Sequence, residues 1–311
     1  MSIKVLKPGL QTSIQDLGRS GFRHLGVSQA GAIDSYHLKL ANWLVSKPLD
    51  SACIESYLIG PVIEFQSNMT IAITGAEFEM YLNNTPISNN RSYNVHSSDR
   101  LEFGKLISGA RAYIAFSAAL NCQTVMTCYS SDTTSGIAAT QTPTLSVGEI
   151  ISTLDSIDEL PIRTLPKELV IPNQKNIIVR VIKGLEYSRL TKKSKQILFE
   201  STFKVDANSN RMGLRLNGEH LELKEQHEMV SSPIVHGTIQ LPKSGQPIIA
   251  LNEGQTIGGY PRVAQVISAD LHLLGQAAPN SKISFYPITI DKAATLQKHK
   301  TDFLKEHITY F

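Results

Sequence analysis

The chain has 311 residues, 41% of them apolar and 18% charged, which is a composition and length sufficient for two ordinary domains with a sizeable core. Thirty Lys and Arg against 27 Asp and Glu leave a formal charge of +3, too small and too evenly spread to argue for nucleic-acid binding. No apolar run approaches the ~18 residues of a membrane span, and Lys4 and Lys7 stand where the apolar stretch of a signal peptide would lie, so the cytoplasm is the expected compartment, with no membrane partner.

The first segment that stands out covers residues 12–34, where Gly18, Gly21, Gly26 and Gly31 are interleaved with Gln15, Asp16, Arg19, Arg23, His24 and Asp34. Each interior glycine costs a helix about 1 kcal/mol relative to alanine, while Ile14, Leu17, Phe22, Leu25, Val27 and Ile33 require burial. The segment therefore reads as an ordered, glycine-bent loop that fixes polar side chains, the way sites are built on rigid scaffolds. A helix over Asp34–Ser46 follows, with Asp34 placed to cap it and Pro48 to stop it. Cys53 opens the next stretch; with Cys122 and Cys128 it makes an odd count without CxxC spacing, which reads as reduced, buried thiols.

Period-2 alternation predicts a strand over Met69–Thr74, then Glu77–Leu82 running into the turn residues Asn83 and Asn84. Strands over Arg100–Phe103 and Arg111–Phe116 come next. Residues 155–167 carry charge, Pro161 and Pro166 without periodicity and read as a connector between domains. Beyond it, strands are expected at Ile177–Ile182, Arg211–Leu216, Gly237–Leu241, Pro247–Leu251, Arg262–Ser268 and Lys282–Phe285. Asn217-Gly218 is a strong hairpin signal. A weak helical pattern covers Tyr187–Glu200; clearer ones cover Asp270–Gln276 and Asp291–Lys305. The class is mainly β with a few helices. The expected organisation is a domain over 1–160, a second over 161–290 and a helical tail over 291–311. Ser108–Phe116 and Ser244–Leu251 share a Ser-Gly turn leading into an apolar strand, which convergence and duplication explain equally well.

Two later segments invite chemistry. In Gln255–Arg262, the pair Gly258 and Gly259 ahead of Tyr260-Pro261 gives a tight bend that either admits a ligand, with Thr256, Tyr260 and Arg262 as polar handles, or is only a turn. Strand alternation through Asn210–Leu216 places Arg211 and Arg215 on one face, either as a clamp for a carboxylate or phosphate or as a bridged surface. The nine histidines show no HxH, HExxH or His–Cys spacing, so no metal site is expected. No GxxxxGK[ST], GxGxxG or GxSxG motif is present either.

Taken in order, these segments resemble one family. Lys7-Pro8-Gly9, Gln15-Asp16-Leu17-Gly18-Arg19, Gly21–Val27, Gly31-Ala32-Ile33-Asp34, Gly109–Tyr113, Asn210–Leu216, Gly237-Thr238-Ile239-Gln240, Gln255–Arg262 and Val266–Leu271 look like the signatures of the biotin-dependent carboxyltransferase family, also called allophanate hydrolase subunit 2. That family includes the C-subunit of the bacterial ATP-dependent 5-oxoprolinase and the antagonist of a sporulation-kinase inhibitor. The resemblance implies two cyclophilin-like β-barrel domains. It implies a component of an ATP-dependent 5-oxoprolinase that opens 5-oxo-L-proline to L-glutamate, with ATP as cofactor, with or without Mg. The implied partners are a smaller cyclophilin-like subunit, of the kinase-inhibitor or 5-oxoprolinase B-subunit type, and a third lactam-utilisation subunit.

Under that reading Asp16, Arg19, His24, Asp34 and Asp270 are the catalytic candidates, Asp34 and Asp270 being helix-cap candidates as well. Gln15, Arg211, Arg215, Gln240, Thr256, Gly258, Gly259, Tyr260 and Arg262 are the candidates for binding substrate or nucleotide. Arginines neutralise phosphoryl and carboxylate oxygens, carboxylates orient water, and His24 moves protons. The alternatives are carboxyl transfer from carboxybiotin to a urea-like acceptor, and a non-catalytic antagonist of a kinase inhibitor. One stretch departs from the family pattern: Ser117–Leu120 and Thr127–Ser131 replace glycine-rich segments, with Tyr129 where relatives carry Arg.

Overall fold

In the computed structural model, residues 1–154, 159–225 and 229–308 are described. The chain divides into two compact units: Met1–Ser20 with Ala30–Asn173 and the chain end from His307, and Gly21–Gln29 with Gln174–Glu306. The division after the connector falls at Asn173, later than the boundary expected at 160, and the helical tail up to Glu306 is part of the second unit rather than a separate piece. Of the connector itself, residues 155–158 lie outside the described residues.

The first unit is built on nine strands: β1 Ser2–Lys7, β2 Gln11–Gln15, β3 Cys53–Tyr57, β4 Val62–Phe65, β5 Met69–Leu82, β6 Thr85–Ile87, β7 Arg91–Val95, β8 Arg100–Phe116 and β9 Ile150–Ser152. They form one sheet with the path β2-β3-β8-β4-β1-β9, and β5 joins β6, β7 and β8. The pairs expected at 69–74 with 77–82 and at 100–103 with 111–116 are single long strands. Glycines suggested breaks, but Gly75 (φ +95°) and Gly109 (φ +79°) are absorbed at points where the β5–β8 register shifts. Left-handed glycines at bulges bend a strand without ending it.

One face of this sheet carries Ile3, Ile14, Ile54, Phe65, Ile71, Ile73 and Ile114 into the core. The polar positions of the alternation are buried too, because helix α1 (Ser35–Leu44) lies over β5 and β8. Thr74 accordingly bonds through its Oγ1 to His37 O at 2.7 Å. Asp34 caps α1 as expected, its Oδ1 accepting from His37 N at 3.1 Å.

The second unit closes into a seven-stranded barrel. Its strands are β10 Asn176–Lys183, β11 Phe203–Val205, β12 Gly213–Asn217, β14 Thr238–Gln240, β15 Ile248–Ala250, β17 Arg262–Val266 and β18 Lys282–Pro287; β13 Ser232–Pro233 and β16 Ile257–Gly258 pair apart from it. The ring runs β10-β17-β14-β15-β12-β11-β18, with β10 and β18 parallel. Closure removes free edges, which lets strands as short as these persist.

Helices α2 (Lys192–Glu200), α3 (Leu271–Gly275) and α4 (Ile290–His307) complete the unit. The weak pattern over 187–200 resolves into a 3-10 turn at Tyr187–Arg189 and then α2, capped by Thr191. Asn217-Gly218 makes no hairpin: β12 pairs with β11 and β15. Gly218 is there for space, since a Cβ would come within 2.7 Å of the Phe203 ring.

Candidate functional site

In the first unit, Gln15, Asp16 and Arg19 come together at the end of β2, against the stretch that departs from the family pattern. Asp16 is fully engaged. Its Oδ1 accepts from Gly18 N at 2.7 Å and from the Ser130 hydroxyl, and its Oδ2 from Tyr129 N at 2.7 Å. The carboxylate thus ties residues 16–18 to 129–130. Gly31 (φ +87°) lets this bend pass close by, since a Cβ there would lie 2.7 Å from Gly18 N.

Arg19 donates from Nη2 to Ser130 O, and Gln15 from Nε2 to Ser131 O at 3.0 Å and to Ser13 Oγ at 2.9 Å. The two side chains are therefore pinned to adjacent carbonyls. Both are almost completely buried, Arg19 at 1% exposure and Gln15 at 0%. Even so, Arg19 Nε and Nη1 and Gln15 Oε1 have no hydrogen-bond partner among the described residues. Open buried donors on a cation and an open buried acceptor beside it are costly and call for a complement. Cys128 sits in the same loop, and burial pushes its thiol up.

Asp34, the other carboxylate expected in this loop, belongs to a different cluster. It is wholly buried, caps α1 and pairs with His37 Nδ1 at 2.5 Å. Asp34 N donates to Tyr113 Oη at 2.9 Å, Tyr113 donates to Glu55 at 2.7 Å, and Arg111 lies over the Tyr57 ring with its Nε 3.5 Å from Glu55. Burial, then the negative charge of Glu55, drives the Tyr113 hydroxyl well above its ordinary value.

In the second unit, Gln240, Gly258, Gly259 and Tyr260 are brought together. Gln240 is 8% exposed, and its Nε2 lies 3.1 Å from where a Gly258 Cβ would stand. A Gly259 Cβ would meet Met229 O at 3.1 Å. Thr256 contributes its carbonyl, accepting from Ile234 N at 2.9 Å. Tyr260, 47% exposed, lines a cavity of about 680 Å³ with Gly259, Leu241, Lys243, Met229 and His220. The Gly-Gly-Tyr-Pro bend thus forms one wall of a cavity.

The arginines expected there are committed. Arg262 is bidentate on Glu186 (2.8 and 3.0 Å), an arrangement that holds the carboxyl below its ordinary range. Arg211 and Arg215 do not share a face, because the strand begins only at Gly213. Arg211 is buried against Glu253, and Arg215 is exposed beside a shallow hollow with Asp206, Asn208 and Asn217. Asp270 makes no side-chain cap to α3; it pairs with Arg180, accepting from its backbone N at 2.8 Å and Nε at 2.9 Å. His24 is exposed in a 3-10 turn, Arg23–Leu25.

Sequence reasoning treats Tyr129, Ser130 and Ser131 as a departure, not as the wall of the Arg19 site. It also misses the acidic partners Glu55, Glu186 and Glu253, which lie too far along the chain for spacing to reveal. Among the described residues no three His, Cys, Asp or Glu side chains converge to hold a metal ion, and no helix is long and apolar enough to cross a membrane.

Comparison with known proteins fits this architecture. The chain is 32% identical to the 5-oxoprolinase C-subunit of Haemophilus influenzae, covering 98% of this chain and 97% of that one. It is 30% identical to the 5-oxoprolinase C-subunit of Escherichia coli, with the same coverage of 98% and 97%. The crystal structure of the K. lactis urea amidolyase superposes with a TM-score of 0.92 at 26% identity, over 98% of this chain but 20% of that one. The model of the carboxyltransferase domain, subdomain A and B, matches residues 25–287. The resemblance read from the motifs therefore stands, and the chain belongs to the carboxyltransferase domain family.

Proposed function

We propose that this chain is a subunit of an ATP-dependent 5-oxoprolinase, acting with partner subunits to open 5-oxo-L-proline to L-glutamate in the cytoplasm. The observation that carries this reading is the end-to-end match: the chain spans 97% of two stand-alone subunits of that name, against 20% of the urea amidolyase chain whose fold it shares. The partners are a smaller subunit of related fold and a third, lactam-utilising subunit.

The open groups of the first unit suit such a substrate. A 5-oxoproline carries a carboxylate and a lactam carbonyl as acceptors and one lactam N–H as donor. Arg19 offers two buried donors and Gln15 one buried acceptor on adjacent anchor points, so the guanidinium takes an oxyanion and Gln15 Oε1 takes the N–H. Asp16 is a positioning residue in this reading, because each of its carboxylate oxygens is already occupied. When bound, ATP would supply phosphoryl activation of the lactam oxygen with ADP leaving; one water would then add to the ring carbon as the C–N bond breaks and the nitrogen takes a proton, and a second water would release phosphate to leave glutamate. Donors fixed before the reaction stabilise the developing charge without reorganisation.

The shared fold with urea amidolyase favours a second reading, carboxyl transfer from carboxybiotin to a urea-like acceptor. The carboxylate of carboxybiotin would meet the same Arg19 donors. The test combines the purified chain with its two partner subunits, 5-oxoproline and ATP. Glutamate release above the no-protein control that disappears in Arg19→Met supports the first reading. No glutamate, together with carboxybiotin-dependent carboxylation of urea, supports the second.

A further inference from the structure

Arg111, Arg211 and Arg262, largely withdrawn from water, each meet a carboxylate, on Glu55, Glu253 and Glu186, and the part-exposed Arg180 meets Asp270. Arg23, in the second unit, meets none among the described residues. It is half-buried and opens the 3-10 turn Arg23–Leu25, which is closed by Gly26 N on Arg23 O at 3.0 Å. Its Nη2 donates to Ile234 O, which pins the guanidinium at that carbonyl. Burial lowers its proton affinity with no acid to compensate. A cation held at one point, partly dehydrated and without a counter-charge, is an incomplete arrangement.

The residues flanking Ile234 are polar and equally incomplete. Among the described residues, Ser232 Oγ, two residues before Ile234, is buried without a partner, and so is His236 Nε2, two residues after it. The His236 backbone is fixed, its carbonyl accepting from Gln265 Nε2 at 2.8 Å. The imidazole is pushed down to about 4, by burial first and the Arg23 charge second, so it is neutral near pH 7. Among the described residues, the other charge at this place is paired or exposed. From β17 the neutral Gln265 amide reaches the His236 carbonyl, while Arg262, on Pro233 O at 3.2 Å, is matched by Glu186. His24 beside Arg23 is exposed.

The geometry points to a small-oxyanion site, for a carboxylate or phosphate group, formed by Arg23 with Ser232 and His236. An oxyanion there supplies the missing counter-charge to the guanidinium and accepts from the Ser232 hydroxyl. It also makes protonation of the imidazole favourable, so that Nε2 becomes a donor to the same anion. Binding then carries a proton with it in the pH range just above the free value of His236, and affinity weakens as pH rises through that range. None of these three residues takes part in the lactam chemistry proposed above, so the two readings stand or fall separately.

The test is calorimetric titration of the full chain with inorganic phosphate and, separately, acetate, from about pH 5 to pH 8, in two buffers of different ionisation enthalpy. Acetate stays ionised over most of that range and so isolates the imidazole proton from phosphate's own. The expected result is saturable binding with proton uptake that fades towards the alkaline end. Arg23→Gln should weaken it about tenfold or more, Arg23→Lys should retain part of it, and His236→Asn should bind with the pH dependence flattened. Whichever anion binds more tightly identifies the chemical source of the oxyanion. The proposal is overturned if neither anion gives saturable heat, or if Arg23→Gln binds as well as the native chain while folding normally.

Discussion

Arg19 and Arg211 are buried to the same degree, at 1% and 2% exposure, yet replacing each by methionine should have very different effects on stability. Arg211→Met leaves Glu253, itself 2% exposed, as a buried carboxylate without its counter-charge, and removing one partner of such a pair costs about 3–5 kcal/mol. Among the described residues Arg19 has no ion-pair partner for Arg19→Met to remove. It forfeits the bond to Ser130 O, about 1.5–3 kcal/mol for a charged donor, and relieves two buried open donors, Nε and Nη1, at about 1–3 kcal/mol each. The balance is neutral, or a gain on the order of 1–3 kcal/mol. At about 2–4 °C per kcal/mol, Arg211→Met should lower the melting temperature by roughly 10 °C while Arg19→Met leaves it level or raises it. Calorimetric melts of the two variants and the native chain read this directly. Glutamate release with the partner subunits should be lost in Arg19→Met, the expected pattern for a residue kept for function at the expense of stability. If Arg19→Met falls as far as Arg211→Met, its donors are satisfied in the folded chain and the argument for the Arg19 site fails.

Three further outcomes follow from other parts of the structure. Gly31→Ala places a Cβ 2.7 Å from Gly18 N at φ +87° and should cost about 2 kcal/mol or more; hydrogen exchange at residues 16–19 should quicken, and unchanged exchange there would contradict the packing. Glu186 is held below its ordinary 4.5, chiefly by its bonds to Arg262, so its contribution to stability is complete above pH 4.5 and is lost as pH falls through the lower folded value. The gap in melting temperature between native chain and Glu186→Gln should therefore close in acid; a gap independent of pH would refute the coupling. Burial pushes the Cys53 and Cys128 thiols up and the Cys122 thiol up to about 12, so a thiol reagent at about pH 8 should label none of them rapidly until denaturant is added. Rapid labelling of any one in the native chain would count against its placement.

Much of the fold is legible because its signals are local. Asp34 capping α1 needs only the spacing to His37, and the alternation over Met69–Thr74 marks β5 without any knowledge of its partner. What fails locally does so for nonlocal reasons. The breaks read at Gly75 and Gly109 are bulges because β5 and β8 continue to pair across them. Asn217-Gly218 reads as a turn, although the glycine is required by the Phe203 ring, fifteen residues earlier. The site shows the same division. That Gln15, Asp16 and Arg19 lie close together is visible in their spacing, but the stretch they bond to, 129–131, lies more than 100 residues away. The Arg211 and Arg215 pairing fails because alternation applies only inside a strand, and Arg211 precedes its start. The counter-ions Glu253, Glu186 and Arg180 lie 42, 76 and 90 residues from the partners they neutralise, and no spacing rule reaches that far.

The chain enters the second unit at Gly21, leaves it at Gln29, and returns only at Gln174. A protease cut or gene split after Asn173 would therefore not yield two self-sufficient fragments. The amino-terminal piece would carry nine residues that fold with the other half, and the carboxy-terminal piece would be short of them, Arg23 included. Reassembly by complementation would need a synthetic peptide of that stretch supplied in trans, or a rearranged gene in which it is stitched directly onto the barrel.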